Sequence, residues 1–180
     1  MDDRKQRPNI LIIMSDDLGP WAMGCAGTSE LVSPTLDKLA AKGARFDNFF
    51  CTSPVCSPAR ASFLTGRIPS QHGVHDWIKS GNIAVENNVT WCGQDRPIEY
   101  LQGMKAFTDV LAENGYTCGL SGKWHLGASV TPQKSHTFWC AHSLGGDSYT
   151  NYFIFDNSPE MTRQKQYVTC LLYTSDAADE

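Results

Sequence analysis

The sequence has no long apolar run, no excess of positive charge and no run of basic residues interleaved with aromatic ones. The longest apolar run near the start, Ile10 to Met14, is far shorter than the roughly 20 residues that cross a membrane as a helix. The chain carries 15 Lys and Arg against 19 Asp and Glu, which gives a formal net charge of −4. We therefore expect neither a membrane span nor a nucleic-acid partner.

The seven cysteines lack the paired spacing of a zinc site or of a small disulfide scaffold. Most are expected to be ordinary buried thiols, and their odd number leaves at least one free sulfur. Cys56 is the exception that calls for an explanation, because it stands directly before Ser-Pro at the predicted start of a helix. A helix N-terminus attracts anions and lowers the pKa of a thiol.

The two ends of the chain are polar. The opening MDDRKQRPN is too polar for a signal peptide, so the chain as written is expected to remain in the cytoplasm. The closing CLLYTSDAADE ends in an acidic, alanine-rich tail without a helix or strand signal. We expect this tail to be non-native sequence at the end of a truncated reading frame.

Strand and helix signals alternate along the chain. The apolar run Ile10 to Met14 predicts a buried parallel strand. Residues 44–50, ARFDNFF, predict a second strand with a less regular pattern. SPTLDKLAAKG, residues 33–43, and SPARASFLTG, residues 57–66, both open on Ser-Pro and end on glycine, which predicts two helices. MKAFTDVLAENG predicts another helix, YTCGL a strand and SGKWHLG a loop. This alternation indicates an α/β fold.

Other segments give weaker signals. The turn-rich text from about Ser70 to Leu101 predicts loops, and Gly145 to Phe155 is a candidate for one more strand. No internal repeat or low-complexity linker is present. We therefore expect one domain over residues 8–155, with residues 156–180 uncertain.

Three polar clusters carry the chemistry. Asp16 and Asp17 follow the first predicted strand, Cys56–Arg60 opens a helix, and Lys123 and His125 follow a later strand. In an open α/β sheet, ligands bind beyond the carboxyl ends of the strands, so we expect two clusters at one rim, with the helix N-terminus facing it. Together they predict cleavage of an anionic ester by a metal, a nucleophile, two cations and an imidazole.

Each cluster alone also has an ordinary structural interpretation. Asp16 and Asp17 could form a solvated acidic turn, and Cys56 could be an inert buried thiol. Arg60 could be a surface salt-bridge partner. GKWHLG could be a packed turn built around Trp124.

The residues resemble the N-terminal part of a type I sulfatase, in the alkaline-phosphatase-like superfamily. The similarity runs from PNILIIMSDDLG through PVCSPARASFLTGRIPSQHGVH to ENGYTCGLSGKWHLG, residues 8–127. Its most specific parts are Cys56–Arg60, continued by Leu64–Arg67, and GYTCGLSGKWHLG. The resemblance implies part of a three-layer α/β/α sandwich with a mainly parallel sheet, truncated relative to the family.

The resemblance implies that Cys56 is oxidised to formylglycine by a formylglycine-generating enzyme, which reads Pro58 and Arg60 as part of its motif. One hydroxyl of the hydrated aldehyde would attack sulfur and expel the alcohol. The second hydroxyl would then release sulfate and restore the aldehyde. The implied substrate is a sulfated small molecule or carbohydrate.

The resemblance also implies a divalent cation, with Ca²⁺ favoured over Mg²⁺. Asp16, Asp17 and the modified residue 56 would be among its ligands, and the remaining ligands cannot be placed in this sequence. Two alternatives stay open: a phosphonate or phosphate ester hydrolase of the same superfamily, and an inactive fragment. Members of the family often work in the periplasm, in the lysosome or outside the cell.

Three further side chains receive roles by resemblance. Arg60 would steady the diol, Lys123 would contact the sulfate oxygens and residue 56, and His125 would act as a base towards the diol hydroxyl. His72 and His75 could line the substrate pocket, although packing is the simpler interpretation.

Overall fold

The computed structural model describes residues 7–78, 98–143, 145–146 and 148–171. The chain divides into two compact units, Met1–Phe50 and Cys51–Glu180. Most of the segment from 70 to 101 that was predicted as loops lies outside the described residues.

The N-terminal unit is organised around one helix. Helix α1, Pro34–Lys42, has Pro34 in its first turn and is followed by Gly43, as predicted. A short 3₁₀ helix, Gly24–Ala26, precedes it. The Ser33 hydroxyl joins the two helices, since it accepts the Gly24 N–H at 2.8 Å and donates to Asp37 Oδ1 at 3.0 Å.

Both strands predicted for the N-terminal unit are wrong. Neither Ile10–Met14 nor residues 44–50 form a strand, and their apolar side chains are exposed, from 41% for Met14 to 83% for Ile13 and Phe49. A strand is stabilised by hydrogen bonds to a neighbouring strand. No described residue of this unit belongs to such a ladder, so the apolar runs have no partner against which to form a sheet.

Helices of the C-terminal unit include α2, Cys56–Thr65, α3, Pro69–His72, and α4, Phe107–Glu113. Helix α2 begins earlier than expected, because extended Val55 is its N-cap residue and Cys56 its first residue. Pro58 is therefore third rather than first. Its missing N–H is tolerated there, since the first turn of a helix has no internal acceptors for its N–H groups.

The sheet of the C-terminal unit has four described strands: β1, Cys118–Gly122, β2, His136–His142, β3, Tyr152–Asp156, and β4, Met161–Gln164. Their spatial order is β1-β2-β3-β4. Strands β1 and β2 are parallel, whereas β2–β3 and β3–β4 are antiparallel. The α/β class is thus confirmed, and the described sheet is mixed rather than mainly parallel.

The core of this unit contains two hydrophobic clusters of buried side chains. In the larger one, Trp124 and Trp139 pack against each other with ring centroids 5.3 Å apart. The smaller one contains Cys140, Tyr152, Ile154 and Val168. Among the described residues, no helix combines the length and apolarity needed to cross a membrane.

Candidate active site

Cys56 is the first residue of helix α2 and is partly exposed. The first N–H groups of a helix have no intrahelical acceptor, and the helix dipole adds positive potential at that end. This position favours a negatively charged nucleophile or ligand. The predicted placement of Cys56 at a helix N-terminus is confirmed.

Arg60 ties the start of helix α2 to the loop after strand β1. It lies four residues after Cys56, so both side chains emerge on the same face of the helix. Its Nη1 donates to the backbone carbonyl of Lys123 at 2.7 Å, across 63 residues of sequence. Two of the predicted clusters therefore meet in the C-terminal unit.

The loop after β1 presents Lys123 and His125 on either side of a buried anchor. Trp124 is 2% exposed and packs edge-on against Trp139 and His136. Lys123 is partly buried, and His125 is fully buried with a left-handed backbone, φ +57°. A non-glycine residue pays for this conformation with strain that the surrounding structure must offset.

The imidazole of His125 has a defined hydrogen bond. Its Nε2 lies 3.0 Å from the carbonyl oxygen of Ile78, and because a carbonyl oxygen only accepts, Nε2 carries the proton. Trp77 meets the ring edge-on with centroids 5.4 Å apart. In its neutral form the ring therefore has its lone pair on Nδ1.

His72 has a packing role. It is 1% exposed, its Nδ1 accepts the Val74 N–H at 3.1 Å, and its Nε2 donates to the Ser62 hydroxyl at 2.9 Å. Burial is the main cause that lowers the pKa of His72, followed by repulsion from His75. A base needs its lone pair on the nitrogen that faces the hydroxyl, so His72 does not activate Ser62. His75 is exposed.

Asp16 and Asp17 belong to the N-terminal unit, and both are exposed. Asp17 has a left-handed backbone, φ +55°. Carboxylate oxygens are the ligands that Ca²⁺ and Mg²⁺ prefer, so the donor chemistry fits a hard divalent cation. Within the described part of the chain, no group of three or more His, Cys, Asp and Glu side chains forms a metal site.

Three site residues were missed by sequence reasoning. Ser57 is fully buried and accepts the Ile78 N–H through its hydroxyl at 3.3 Å. Ile78 contributes only backbone groups, which leave no signal in a sequence. Gly145 lies against the His125 ring, and a Cβ at this position would overlap Nε2, Cδ2 and Cε1.

The chain belongs to the sulfatase family, whose sequence model matches residues 8–178. It is 36% identical to human steryl-sulfatase over 138 residues, which is 77% of this chain and 22% of that protein. It is 38% identical to human arylsulfatase A over 124 residues, 67% of this chain and 21% of that protein. The chain thus spans about a fifth of the length of these curated relatives.

A solved structure supports the same fold. The chain is similar to a protein solved in complex with its substrate D-glucosamine-2-N,6-O-disulfate, with 25% sequence identity and a TM-score of 0.73. The match covers 96% of this chain and 30% of the solved chain. The fold of the chain is therefore that of the sulfatases, in the alkaline-phosphatase-like class.

Proposed function

We propose that this chain carries the nucleophile of a sulfate ester hydrolase, with Cys56 converted to formylglycine. The observation that carries the proposal is the contact between Arg60 and the Lys123 carbonyl, which joins the Cys56 helix to the loop of Lys123 and His125. Membership of the sulfatase family and the sulfatase names of its relatives support this assignment.

The position of residue 56 fits the modification. Cys56 is partly exposed at the start of a helix, where a side chain can be reached and where negative charge is stabilised. As formylglycine, residue 56 supplies a hydrated aldehyde: one hydroxyl attacks sulfur as the alcohol leaves, and loss of the second hydroxyl's proton expels sulfate and restores the C=O bond.

Arg60 and Lys123 supply positive charge. Arg60 lies on the face of α2 that bears residue 56, and its bond to the Lys123 carbonyl limits the positions that its guanidinium can adopt. The remaining N–H groups of the Arg60 guanidinium can donate hydrogen bonds that steady the diol of residue 56. The Lys123 ammonium would contact the sulfate oxygens and residue 56, where negative charge accumulates in the transition state.

His125 is suited to accept a proton through Nδ1, because its Nε2 proton is engaged by the Ile78 carbonyl. The ring is fully buried. The proposed proton donor is the diol hydroxyl of residue 56, as the resemblance to the sulfatases implies.

Asp16 and Asp17 would be ligands of the divalent cation, with Ca²⁺ favoured over Mg²⁺. Ca²⁺ takes about six to eight oxygen ligands, so these residues would form only part of its shell. A bound cation of this kind would supply positive charge for the reaction. Two adjacent carboxylates also repel each other, and a bound cation relieves that repulsion.

The proposed substrate is a sulfated carbohydrate or another sulfated small molecule. The neighbour solved with a disulfated glucosamine supports the carbohydrate class. A formylglycine-generating enzyme would be the partner during maturation. We assign residues 8–155 to the N-terminal part of the catalytic domain and leave residues 156–180 as its uncertain end.

The test is turnover by the encoded protein that contains this chain, produced together with a formylglycine-generating enzyme. We expect release of sulfate from an aryl sulfate, abolished in Cys56→Ala and retained in the matched control Cys51→Ala. Cys51 is an exposed cysteine of the same unit. Equal turnover by Cys56→Ala would contradict the proposal, and faster release of phosphate from an aryl phosphate would favour the phosphate ester hydrolase.

A further inference from the structure

Ile78 connects two parts of the site through its backbone. Its N–H donates to the Ser57 hydroxyl at 3.3 Å, and its carbonyl accepts the Nε2–H of His125 at 3.0 Å. All three residues are buried, with exposed fractions of 6% for Ile78 and 0% for Ser57 and His125. Ser57 directly follows Cys56, so the link runs from the nucleophile helix to the imidazole.

From this link we infer that Ser57 is a positioning residue, which holds His125 through Ile78 in the tautomer with its proton on Nε2. The hydroxyl of Ser57 fixes the Ile78 N–H, and this orients the carbonyl on the other side of the same residue towards the imidazole. A carbonyl at hydrogen-bond distance stabilises only a protonated nitrogen. The other ring nitrogen, Nδ1, is thereby kept as the proton acceptor.

The walls around the ring support this assignment. Trp77 meets the imidazole at an interplanar angle of 75°. Gly145 covers the Nε2 side so closely that a Cβ there would overlap three ring atoms. These neighbours restrict rotation of the ring about its Cβ–Cγ bond, and the hydrogen bond to Ile78 selects the orientation with Nε2 towards the carbonyl.

The inference rests on the proposed function only in its purpose, because a fixed Nδ1 lone pair matters when His125 acts as a base. The hydrogen bonds themselves exist without any substrate. A hydroxyl that merely fills space beside Ile78 would affect stability when it is removed and leave the tautomer of His125 unchanged. The tautomer is therefore the property to measure.

The experiment compares Ser57→Thr with Ser57→Val in the unmodified chain labelled with ¹⁵N-histidine. Threonine and valine have the same shape and differ in a hydroxyl. NMR distinguishes a protonated ring nitrogen from one with a lone pair, and His125→Gln assigns the signal. We expect protonated Nε2 in the parent chain and in Ser57→Thr, and a mixture of tautomers or rapid exchange of the Nε2 proton in Ser57→Val.

A matched control lies on the same helix. Ser62 accepts from Nε2 of His72, so Ser62→Ala is expected to change the His72 signal and leave His125 as it was. Ser57→Ala provides a smaller replacement should valine prevent folding. An unchanged His125 signal in folded Ser57→Ala or Ser57→Val, or a parent chain with the His125 proton on Nδ1, would overturn the inference.

The same variants separate this inference from the proposed function. In the active encoded protein, loss of the Ser57 hydroxyl is expected to lower kcat on the order of 10- to 100-fold, with KM little changed and activity rescued in Ser57→Thr. Mass spectrometry of residue 56 checks that modification is equal in all variants. If the parent protein is inactive but loss of the Ser57 hydroxyl still changes the His125 tautomer, the proposed function is contradicted and the inference about Ser57 stands.

Discussion

Two short stretches of the chain precede proposed site residues, and they form different structures. Cys118–Gly122 forms strand β1, which pairs in parallel with β2 and leads into Lys123. Ile10–Met14 is the more apolar of the two and leads towards Asp16, yet it forms no strand and its side chains are exposed. Apolar character alone therefore does not decide which of the two becomes a strand.

The difference lies in the neighbours available to each stretch. Strand β1 has β2 beside it, and Trp124, which follows β1, enters the same cluster as Trp139 of β2. No described residue of the N-terminal unit pairs with Ile10–Met14. Burial and ladder hydrogen bonds are non-local, and they determine whether a favourable local sequence becomes a strand.

The largest expected effect comes from removing a buried side chain of β2. Trp139→Ala deletes a 1% exposed indole from the larger cluster and should destabilise the unit by about 3–5 kcal/mol. Ile13→Ala, at an 83% exposed position, should change stability by no more than about 0.5 kcal/mol. Urea unfolding followed by circular dichroism measures both. An equal loss of stability in Ile13→Ala would show that Ile10–Met14 is buried in solution, which would contradict the difference drawn between the two stretches.

A smaller effect is expected from filling the space beside His125. Gly145→Ala places a methyl group on the imidazole and should cost about 1–3 kcal/mol of stability. The control Gly146→Ala meets nothing within 4 Å and should be nearly neutral. Urea midpoints of the two variants give the result. Equal urea midpoints for Gly145→Ala and Gly146→Ala would show that Gly145 does not lie against the His125 ring.

The pH dependence of stability should come from the C-terminal unit, since the N-terminal unit contains no histidine. Burial lowers the pKa values of His72 and His136 below the ordinary 6.5. As pH falls below 6.5, the unfolded chain binds protons that the folded chain resists, so stability declines through the window down to the lowered folded values. Well above 6.5, where both states have lost these protons, the two groups contribute no pH dependence.

Unfolding midpoints between about pH 7.5 and 5 test this sign. His72→Gln and His136→Gln should each flatten the decline below pH 6.5. An undiminished slope in the double variant would assign the pH dependence to other groups.

The smallest expected effect lies in the N-terminal unit. Ser33→Ala removes the hydroxyl that joins Gly24 to Asp37 and should cost about 0.5–1.5 kcal/mol. Ser29→Ala serves as a control on an exposed serine of the same unit. Amide hydrogen exchange at Gly24 measures the change locally. Unchanged protection in Ser33→Ala would show that this hydrogen bond does not hold the 3₁₀ helix in place.

Elements with strong local signals could be predicted from the sequence. Helices α1 and α2 were predicted from a Ser-Pro near the start and a glycine at the end, although α2 begins one residue before its Ser-Pro. Strand β1 was recognised between a helix and a glycine-containing loop. Strands β2 and β4 were missed, because β2 does not alternate and β4 is a short polar edge strand. Their formation depends on pairing between segments distant in sequence, which local patterns do not reveal.

The candidate site likewise has parts that could be predicted from the sequence and parts that could not. The motif around Cys56 and the loop of Lys123 and His125 were recognisable from their residues, and the Arg60 contact brings the helix and the loop together. The link through Ile78 could not be predicted, because it uses backbone groups 21 and 47 residues from its partners. The roles of Asp16 and Asp17 as metal ligands stay predictions.

Mass spectrometry of residue 56 tests the central claim most directly. Trypsin releases residues 46–60 as one peptide, which contains Cys51 as an internal control because its proline lies at the third following position rather than the second. After production with a formylglycine-generating enzyme, we predict the mass of CHO in place of CH₂SH at residue 56, with Cys51 unchanged. An unmodified thiol at residue 56 would contradict the account.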